Sequence, residues 1–519
     1  MEITSDMKFK RVSSCAELSC ESSVDYTLPD YLGDVRKILY TECAARPSGK
    51  FIDDGEVEFS GIVVYNVVYL DSEGKPCGVS FTSDYDGTVK CPDAELVGVY
   101  AQPAVSSYNV RLTGPRRFSA KAVVGGRCDV VTEDMIAASG TAFGGEEEPE
   151  TLTRVMNFRS VAMSERVERE YAEVLERLEG AVADELEVVW SGAEVDFESV
   201  TAADGSVIVK GELDVYAVVS APDSPLYFIE REIPFEETVP FPDVTRGMSL
   251  IPEASVVSLV TNINAEETGA EIIASVVVEY EVRGEYNESV SVVSDAFVKS
   301  SATENTYKDY GYTELLECVS LSESESCEVD CSSLPCESLR QVIYLVANPK
   351  IEKAVEESGA LKLYGEVRFS GVASEVSEEG EISYTGIKFT SPIDKTVKCS
   401  ASFASDLIAE VKLTPTLAGA VIDGDKLDIN YTLCGNVTLS VKKTASVLAT
   451  SDIIEETKYV ETSGRITVYY PEDGETLFDV ARRFHKSKET IAEDNNISVL
   501  TSADGGSVDL GEYKRIYIF

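Results

Sequence analysis

Along most of the chain, apolar residues recur at every second position. In GEVEFSGIVVYNVVYLDSEG (55–74), Val57, Phe59, Gly61, Val63, Tyr65 and Val67 share one face before a polar turn. NVRLTGPRRFSAKAVVGGRCDVV (109–131), EIIASVVVEYEVRGEYNESVSVV (271–293) and KLDINYTLCGNVTLSV (426–441) read the same way. A period of two, rich in β-branched residues and punctuated by DSEG, DYDG, AADG, SEEG and DGDK, predicts antiparallel strands and hairpins. Gly61, Gly211 and Gly371 fall inside these runs, where an interior glycine marks a bulge or a close backbone approach.

Some stretches depart from this period. SERVEREYAEVLERLEG (164–180) sets Val167, Tyr171, Val174, Leu175 and Leu178 at helical spacing between Ser164 and Gly180, which predicts an amphipathic helix packed on its own sheet. VDYTLPDYLGDVRKIL (24–39) and VDCSSLPCESLRQVIY (329–344) each predict an amphipathic turn or two after Leu-Pro.

The chain also repeats itself. GEVEFSG (55–61) matches GEVRFSG (365–371) at an offset of 310, and GVSFTSDYDGTVKC (78–91) matches GIKFTSPIDKTVKC (386–399) at 308. A weaker copy, GSVIVKGELDVYAVV, starts at Gly205 at an offset of 150 from the first block. The expected superposition therefore runs through Gly55, Gly205 and Gly365. Segments 139–153, 299–311 and 449–464, rich in Gly, Ser, Thr and Glu, read as linkers between beads. The expected organisation is mainly β and multidomain. Three β-rich, sandwich- or barrel-like units span 1–138, 154–298 and 312–448, followed by a small α+β segment at 464–519.

That last segment predicts a βααβ unit. Arg465 to Tyr469 reads as a strand and Pro471 to Gly474 as a turn. Thr476 caps a helix carrying Leu477, Val480, Ala481 and Phe484, with Asp479 in its first turn. Ser487 caps a second helix that ends at Asn495 and Asn496, and RIYIF closes the chain as a strand.

Composition narrows the chemistry. Over 519 residues, 45 Lys and Arg face 92 Asp and Glu, a net charge of −47 that repels phosphate backbones and anionic lipids. Neither nucleic acid nor direct membrane insertion is expected as a partner. One histidine, His485, leaves little room for imidazole-based catalysis or multi-histidine metal sites. The sequence shows no Walker loop, GxGxxG, GxSxG or HExxH, so a non-catalytic protein without cofactor is expected. Acidic runs such as Glu146–Glu148 and Glu236–Glu237 have no EF-hand spacing and read as solvated. No signal peptide or apolar span is visible, which predicts residence in the cytosol and reduced thiols for the 12 cysteines. Cys327, Cys331 and Cys336 lack a nearby histidine for a zinc site, and no metal is expected.

Two resemblances follow from these residues. With its ITV strand, Gly474-Glu475-Thr476-Leu477, Phe478, Val480-Ala481, Phe484 and the Asn-rich end of the second helix, the C-terminal segment resembles the LysM domain. It departs from that pattern in having Phe478 where Trp is common and a long stretch after Ile497. The resemblance implies binding of N-acetylglucosamine-containing glycan or protein between two loops, here Gly474, Glu475, Thr476 and Leu477 on one side and Asn496, Ile497 and Ser498 on the other. Arg482, Arg483, Lys486 and Lys488 would form a basic rim to that site. The upstream units resemble the SPOCS domain of spore-forming Firmicutes, through the Leu-Pro lead-in, the V-x-x-x-G strand and the later Phe of SFTS and IPFEE. Three such units before a LysM domain resemble the SipL-like spore coat morphogenesis proteins. This implies a scaffold in the mother-cell cytoplasm, at the forespore surface, that partners a coat morphogenetic SpoIVA-like ATPase. The alternative expectation is a cell-wall protein binding peptidoglycan, and a third is a glycan hydrolase with a LysM tail.

Overall fold

The computed structural model describes residues 7–53, 56–90, 96–101, 103–136, 148–221, 225–336, 338–376, 380–400, 406–459, 466–498, 507–511 and 513–519. Gly55, Cys91, Glu146, Glu147 and most of the 139–153 segment lie outside them.

Unit one comprises β1 (Met7–Thr27), β2 (Val35–Asp53), β3 (Glu56–Asp71), β4 (Pro76–Lys90), β5 (Leu96–Ala101), β6 (Ala104–Gly114) and β7 (Arg117–Ile136). They form two antiparallel sheets, β2-β3-β4 and β1-β7-β5, with β6 also on β7. Unit two comprises β8 (Glu150–Met163), β9 (Val167–Glu179), β10 (Glu187–Ala203), β11 (Ser206–Ser220), β12 (Tyr227–Pro240), β13 (Ser249–Glu266) and β14 (Gly269–Phe297). Its sheets are β10-β11-β12 and β13-β14-β8, with β9 on β14. Unit three comprises β15 (Ser301–Asp330), β16 (Leu339–Glu357), β17 (Ala360–Val376), β18 (Ile382–Val397), β19 (Leu407–Thr414), β20 (Thr416–Leu417), β21 (Gly419–Asp423) and β22 (Lys426–Lys458). Here the sheets are β18-β17-β16-β20 and β15-β22-β19, with β21 on β22. The chain ends in β23 (Thr467–Tyr469), α1 (Leu477–Phe484), α2 (Lys488–Asn495) and β24 (Ile516–Ile518), with β23 and β24 antiparallel.

Period-two burial builds each unit. β14 alternates half-buried and buried residues from Gly269 through Gly284, and its inward set (Ile272, Ala274, Val276, Val278, Tyr280) meets Val207, Val209, Leu213 and Val215 of β11. β3 and β7 close unit one in the same way, as β17 and β22 close unit three. Each buried valine or leucine contributes roughly 1.5–3 kcal/mol.

Three expectations fail. The segment expected to be a helix at 164–180 is β9, paired with β14. A register shift between Ile272 and Ile273 leaves Leu175 as the extra residue of a bulge, which reverses parity midway. Val167, Tyr171 and Leu178 consequently all pack against the core, so a bulged strand imitates helical spacing. Ser164 caps nothing; its hydroxyl accepts the Val282 N–H at 2.8 Å. The lead-ins are likewise strand and turn, apart from a single 3-10 turn at Cys331–Ser333.

Much of what is described of the expected linkers is also strand. Ser301 to Gly311 pairs with Lys458 to Thr444, and Glu150 to Thr153 pairs with Phe297 to Val293. Glu304, Thr306, Lys308 and Asp309 are exposed there while Ser301 and Ser451 are buried, and the backbone completes the ladders.

Third, Gly365 does not match Gly205, and Gly55 lies outside the described residues. Gly205 is the turn of its hairpin, at φ +68°, whereas Gly365 lies within β17 opposite Ile351; the corresponding turn is Ser358–Gly359. Tyr40 pairs with Val68, Trp190 with Val218 and Tyr344 with Val372, so the true offset to unit three along this strand is 304. The sequence match slipped by six residues, an even number that leaves every side chain on its original face. The expected close approaches do occur: a Cβ at Gly61, Gly211 or Gly371 would sit 2.3, 1.9 or 2.1 Å from a neighbouring carbonyl oxygen.

The three units share cores rather than swinging apart. Leu39, Tyr40, Val68, Val189, Trp190, Val218, Ile343, Tyr344 and Val372 form one cluster between the three hairpin sheets. Tyr40 meets Trp190 and Tyr344 edge-on, at 5.7 and 5.1 Å, and Trp190 stacks on Tyr344 at 4.2 Å. A second cluster joins Phe9, Ile136, Phe158, Val290 and Val447 from the long strands. Beside it lies an ion network. Arg159 forks onto Glu285 at 2.9 Å through two bonds and reaches Glu410 at 2.7 Å. Arg283 bonds Asp129 and Glu285, and Arg127 bonds Asp129 at 2.9 Å and Glu410 at 2.7 Å. Three arginines thus face three carboxylates drawn from all three units. Burial works against the Arg159 charge, but the hydrogen bonds and charge of Glu285, then Glu410, outweigh it and hold the guanidinium above its ordinary pKa.

Carboxylates near the aromatic cluster make the body pH-dependent. Burial pushes Glu194 up to about 7, although the Leu417 N–H and the Tyr216 hydroxyl both donate to it. Asp214 is pushed up to about 6, by burial and then by Glu230, Glu232 and Glu212. The folded chain therefore holds protons that the unfolded chain releases, and stability is lost as pH rises from the ordinary carboxylate value of 4.5 through about 7. The urea midpoint should be higher near pH ~5 than near pH ~8, with Glu194→Gln flattening the difference. An equally steep profile in that variant would remove Glu194 from the explanation.

Candidate functional site: the C-terminal module

The module folds for local reasons. Thr476 accepts the Asp479 N–H at 3.3 Å while Asp479 accepts the Thr476 N–H at 2.9 Å, a reciprocal cap that starts α1. α1 ends at His485 and α2 at Asn496, both left-handed at φ 51° and 52°. The Asn495 amide donates to the carbonyls of Ile491 and Tyr517 and accepts the Tyr517 N–H, tying α2 to β24. Leu477, Phe478, Val480, Ala481, Ile491, Ile497, Leu510, Ile516 and Ile518 form the core.

The loop residues expected to bind divide between core and surface. Leu477 is 1% exposed and Ile497 5%, so neither offers a contact surface. Thr476 caps α1. Glu475 accepts from the Tyr469 hydroxyl at 2.8 Å and pairs with Arg483 at 3.2 Å. Gly474, Asn496 and Ser498 are exposed. The first loop's backbone is partly occupied, because Leu477 donates to the Val508 carbonyl and Leu510 donates to the Glu475 carbonyl. The long stretch after Ile497 thus returns to cover that loop.

The expected basic rim is not an open rim. Arg482 pairs with Asp295 of β14 at 2.5 Å, and Lys488 donates to the Thr151 carbonyl of β8 at 2.7 Å. Phe478 meets Phe297 edge-on at 5.3 Å, with Leu152 alongside. Arg483 bonds the Tyr469 hydroxyl within the module, and Lys486 is also engaged. His485 stacks on Tyr459 at 3.6 Å, and burial lowers its pKa. Arg482, Lys488 and Phe478 thus seat the module on unit two, through one carboxylate, one backbone carbonyl and one ring contact.

Sequence reasoning missed the opposite side. Ile466, Val468, Tyr470 and Phe519 are 62, 44, 67 and 52% exposed, and Val468 pairs with Tyr517 across the β23–β24 ladder. Arg515 lies over the Tyr517 ring at 5.5 Å, and Lys514 is exposed beside it. A contiguous apolar face with a cationic edge results, of the kind that marks interaction surfaces. The signal was present in ITVYY and IYIF, which are apolar at both parities, whereas a sheet packed on one side needs only one.

Among the described residues, no group of His, Cys, Asp and Glu is arranged to hold a metal, and the ten cysteines whose side chains are described are free thiols. Among the described residues no helix is long and apolar enough to cross a membrane. No curated protein and no solved structure matches the chain. Residues 186–267, which comprise β10 to β13 of unit two, match the family model described as SipL, SPOCS domain. That match ties the chain to sporulation and supports kinship with the SipL-like proteins.

Proposed function

We propose that this chain is a non-catalytic scaffold of spore coat assembly, built from three SPOCS-like units and ending in a LysM-like module that captures a coat morphogenetic protein. The partner would be a SpoIVA-like ATPase, met from the mother-cell cytoplasm at the forespore surface. The observation that carries this reading is the exposed apolar face of Ile466, Val468, Tyr470 and Phe519, on a module whose other side is seated on the body. Apolar anchors with a cationic edge suit a protein surface, in which a few buried side chains supply most of the affinity. The SPOCS match places a sporulation domain in the same chain. The glycan reading has less support, since the backbone at Glu475 and Leu477 is already paired with Val508 and Leu510.

Val468→Glu combined with Phe519→Glu should lower capture of the partner from sporulating-cell extracts by about thirtyfold, the effect of losing about 2 kcal/mol. Both sites are exposed, so the module should remain folded. Undiminished capture by the folded variant would defeat the reading, and binding of the parent chain to purified sacculi would favour the glycan alternative.

A further inference from the structure

Tyr40, Trp190 and Tyr344 hold the same place in three hairpins, paired with Val68, Val218 and Val372. All six meet in one cluster, so the three sheets surround a common axis. The contacts around that axis run head to tail. A Cβ on Gly78 of β4 would sit 1.8 Å from the carbonyl oxygen of Val189, the residue before Trp190. A Cβ on Gly386 of β18 would sit 2.0 Å from the carbonyl oxygen of Leu39, the residue before Tyr40. Gly78 and Gly386 are themselves equivalent, paired with Val68 and Val372. One contact is therefore used twice, from unit one to unit two and from unit three to unit one.

The remaining seam, from unit two to unit three, has Phe228 at the glycine position, paired with Val218. Side chains bridge it instead: the Tyr384 hydroxyl accepts the Leu226 N–H at 2.7 Å, and Glu194 accepts the Leu417 N–H at 3.2 Å. A head-to-tail contact that closes after three steps is the geometry of a cyclic trimer, here written into a single chain.

We propose that the hairpin sheet is a self-recognition surface whose partner is a copy of the same unit. It is satisfied within the chain in this structure, and the seat of unit one accepts unit one of a second copy of the chain. Unit one also brings Arg127 and Asp129 to the shared ion network, so its seat is charge-complementary as well as apolar.

The test uses the folded full-length chain with a specific protease site placed between Ile136 and Glu150. After cleavage, unit one should stay bound at micromolar concentration, with Trp190 emission unchanged. It should exchange for labelled unit one from a second cleaved preparation. Gly386→Leu, which blocks the seam, should weaken retention of unit one at least tenfold. Gly311→Leu, at a glycine with open space around it, should leave retention intact. Loss of unit one on cleavage, with a red shift of Trp190, would overturn the proposal. So would retention without exchange in mild urea, or equal retention in the Gly386→Leu chain.

Discussion

Replacing Arg159 with Leu is expected to destabilise the whole body by about 3–5 kcal/mol, the scale set by breaking a buried ion pair from one side. Arg159 and Glu285 are fully buried, and Arg159 also holds Glu410 of unit three. Without it, Asp129, Glu285 and Glu410 share only Arg127 and Arg283, and one negative charge is left uncompensated away from water. The loss should appear as a lower urea midpoint, read from Trp190, the chain's only tryptophan. Arg159→Leu with Glu285→Leu removes the charges as a pair and should recover most of the stability, because isolated apolar replacement of buried ion pairs is often neutral. A single-variant loss below about 1 kcal/mol would mean that water reaches the network.

Tyr344→Ala should be of similar size, about 3–5 kcal/mol, as for other large aromatic truncations in packed cores. It removes the ring stacked on Trp190 at 4.2 Å and the edge contact to Tyr40, so Trp190 emission should shift to the red as water enters between the units. Tyr344→Phe separates packing from polarity. The Tyr344 hydroxyl is buried with no hydrogen-bond partner among the described residues, so deleting it should be neutral or slightly stabilising. If Tyr344→Phe proved as damaging as Tyr344→Ala, the ring would not be the part that matters.

The lost helix, the lost linkers and the slipped repeat share one cause. Periodicity reports which face a residue occupies, and little else. At 164–180 a bulge at Leu175 changed parity and made a strand count like a helix. At 299–311 and 449–458, polar side chains read as linker while the backbone pairs in the long antiparallel ladder of β15 and β22. The slip of six residues in the match to Gly365 preserved parity, so the pattern had no means of rejecting it. In the C-terminal module the capping residues were legible because caps are local: Thr476, Asp479 and Asn496 act on backbone within a few residues. The fate of the basic residues was not, because Arg482 meets Asp295 across 187 positions of sequence.

By itself, then, the sequence determined what short-range physics decides. That covers strands of period two, the glycines of tight approach, the capped βααβ tail, and a strongly acidic net charge. Tertiary structure alone decided which faces meet. Val63, Tyr65 and Val67 look into the core of unit one while Val68 and Leu70 look out to the other two units. The run VVYNVVYL carries both sets and does not say what lies on the second face. The same holds for ITVYY at the other end, where Ile466, Val468 and Tyr470 stay exposed among the described residues. A hydrophobic pattern specifies that a surface is to be covered; only the packed chain shows whether its own units, or something else, will cover it.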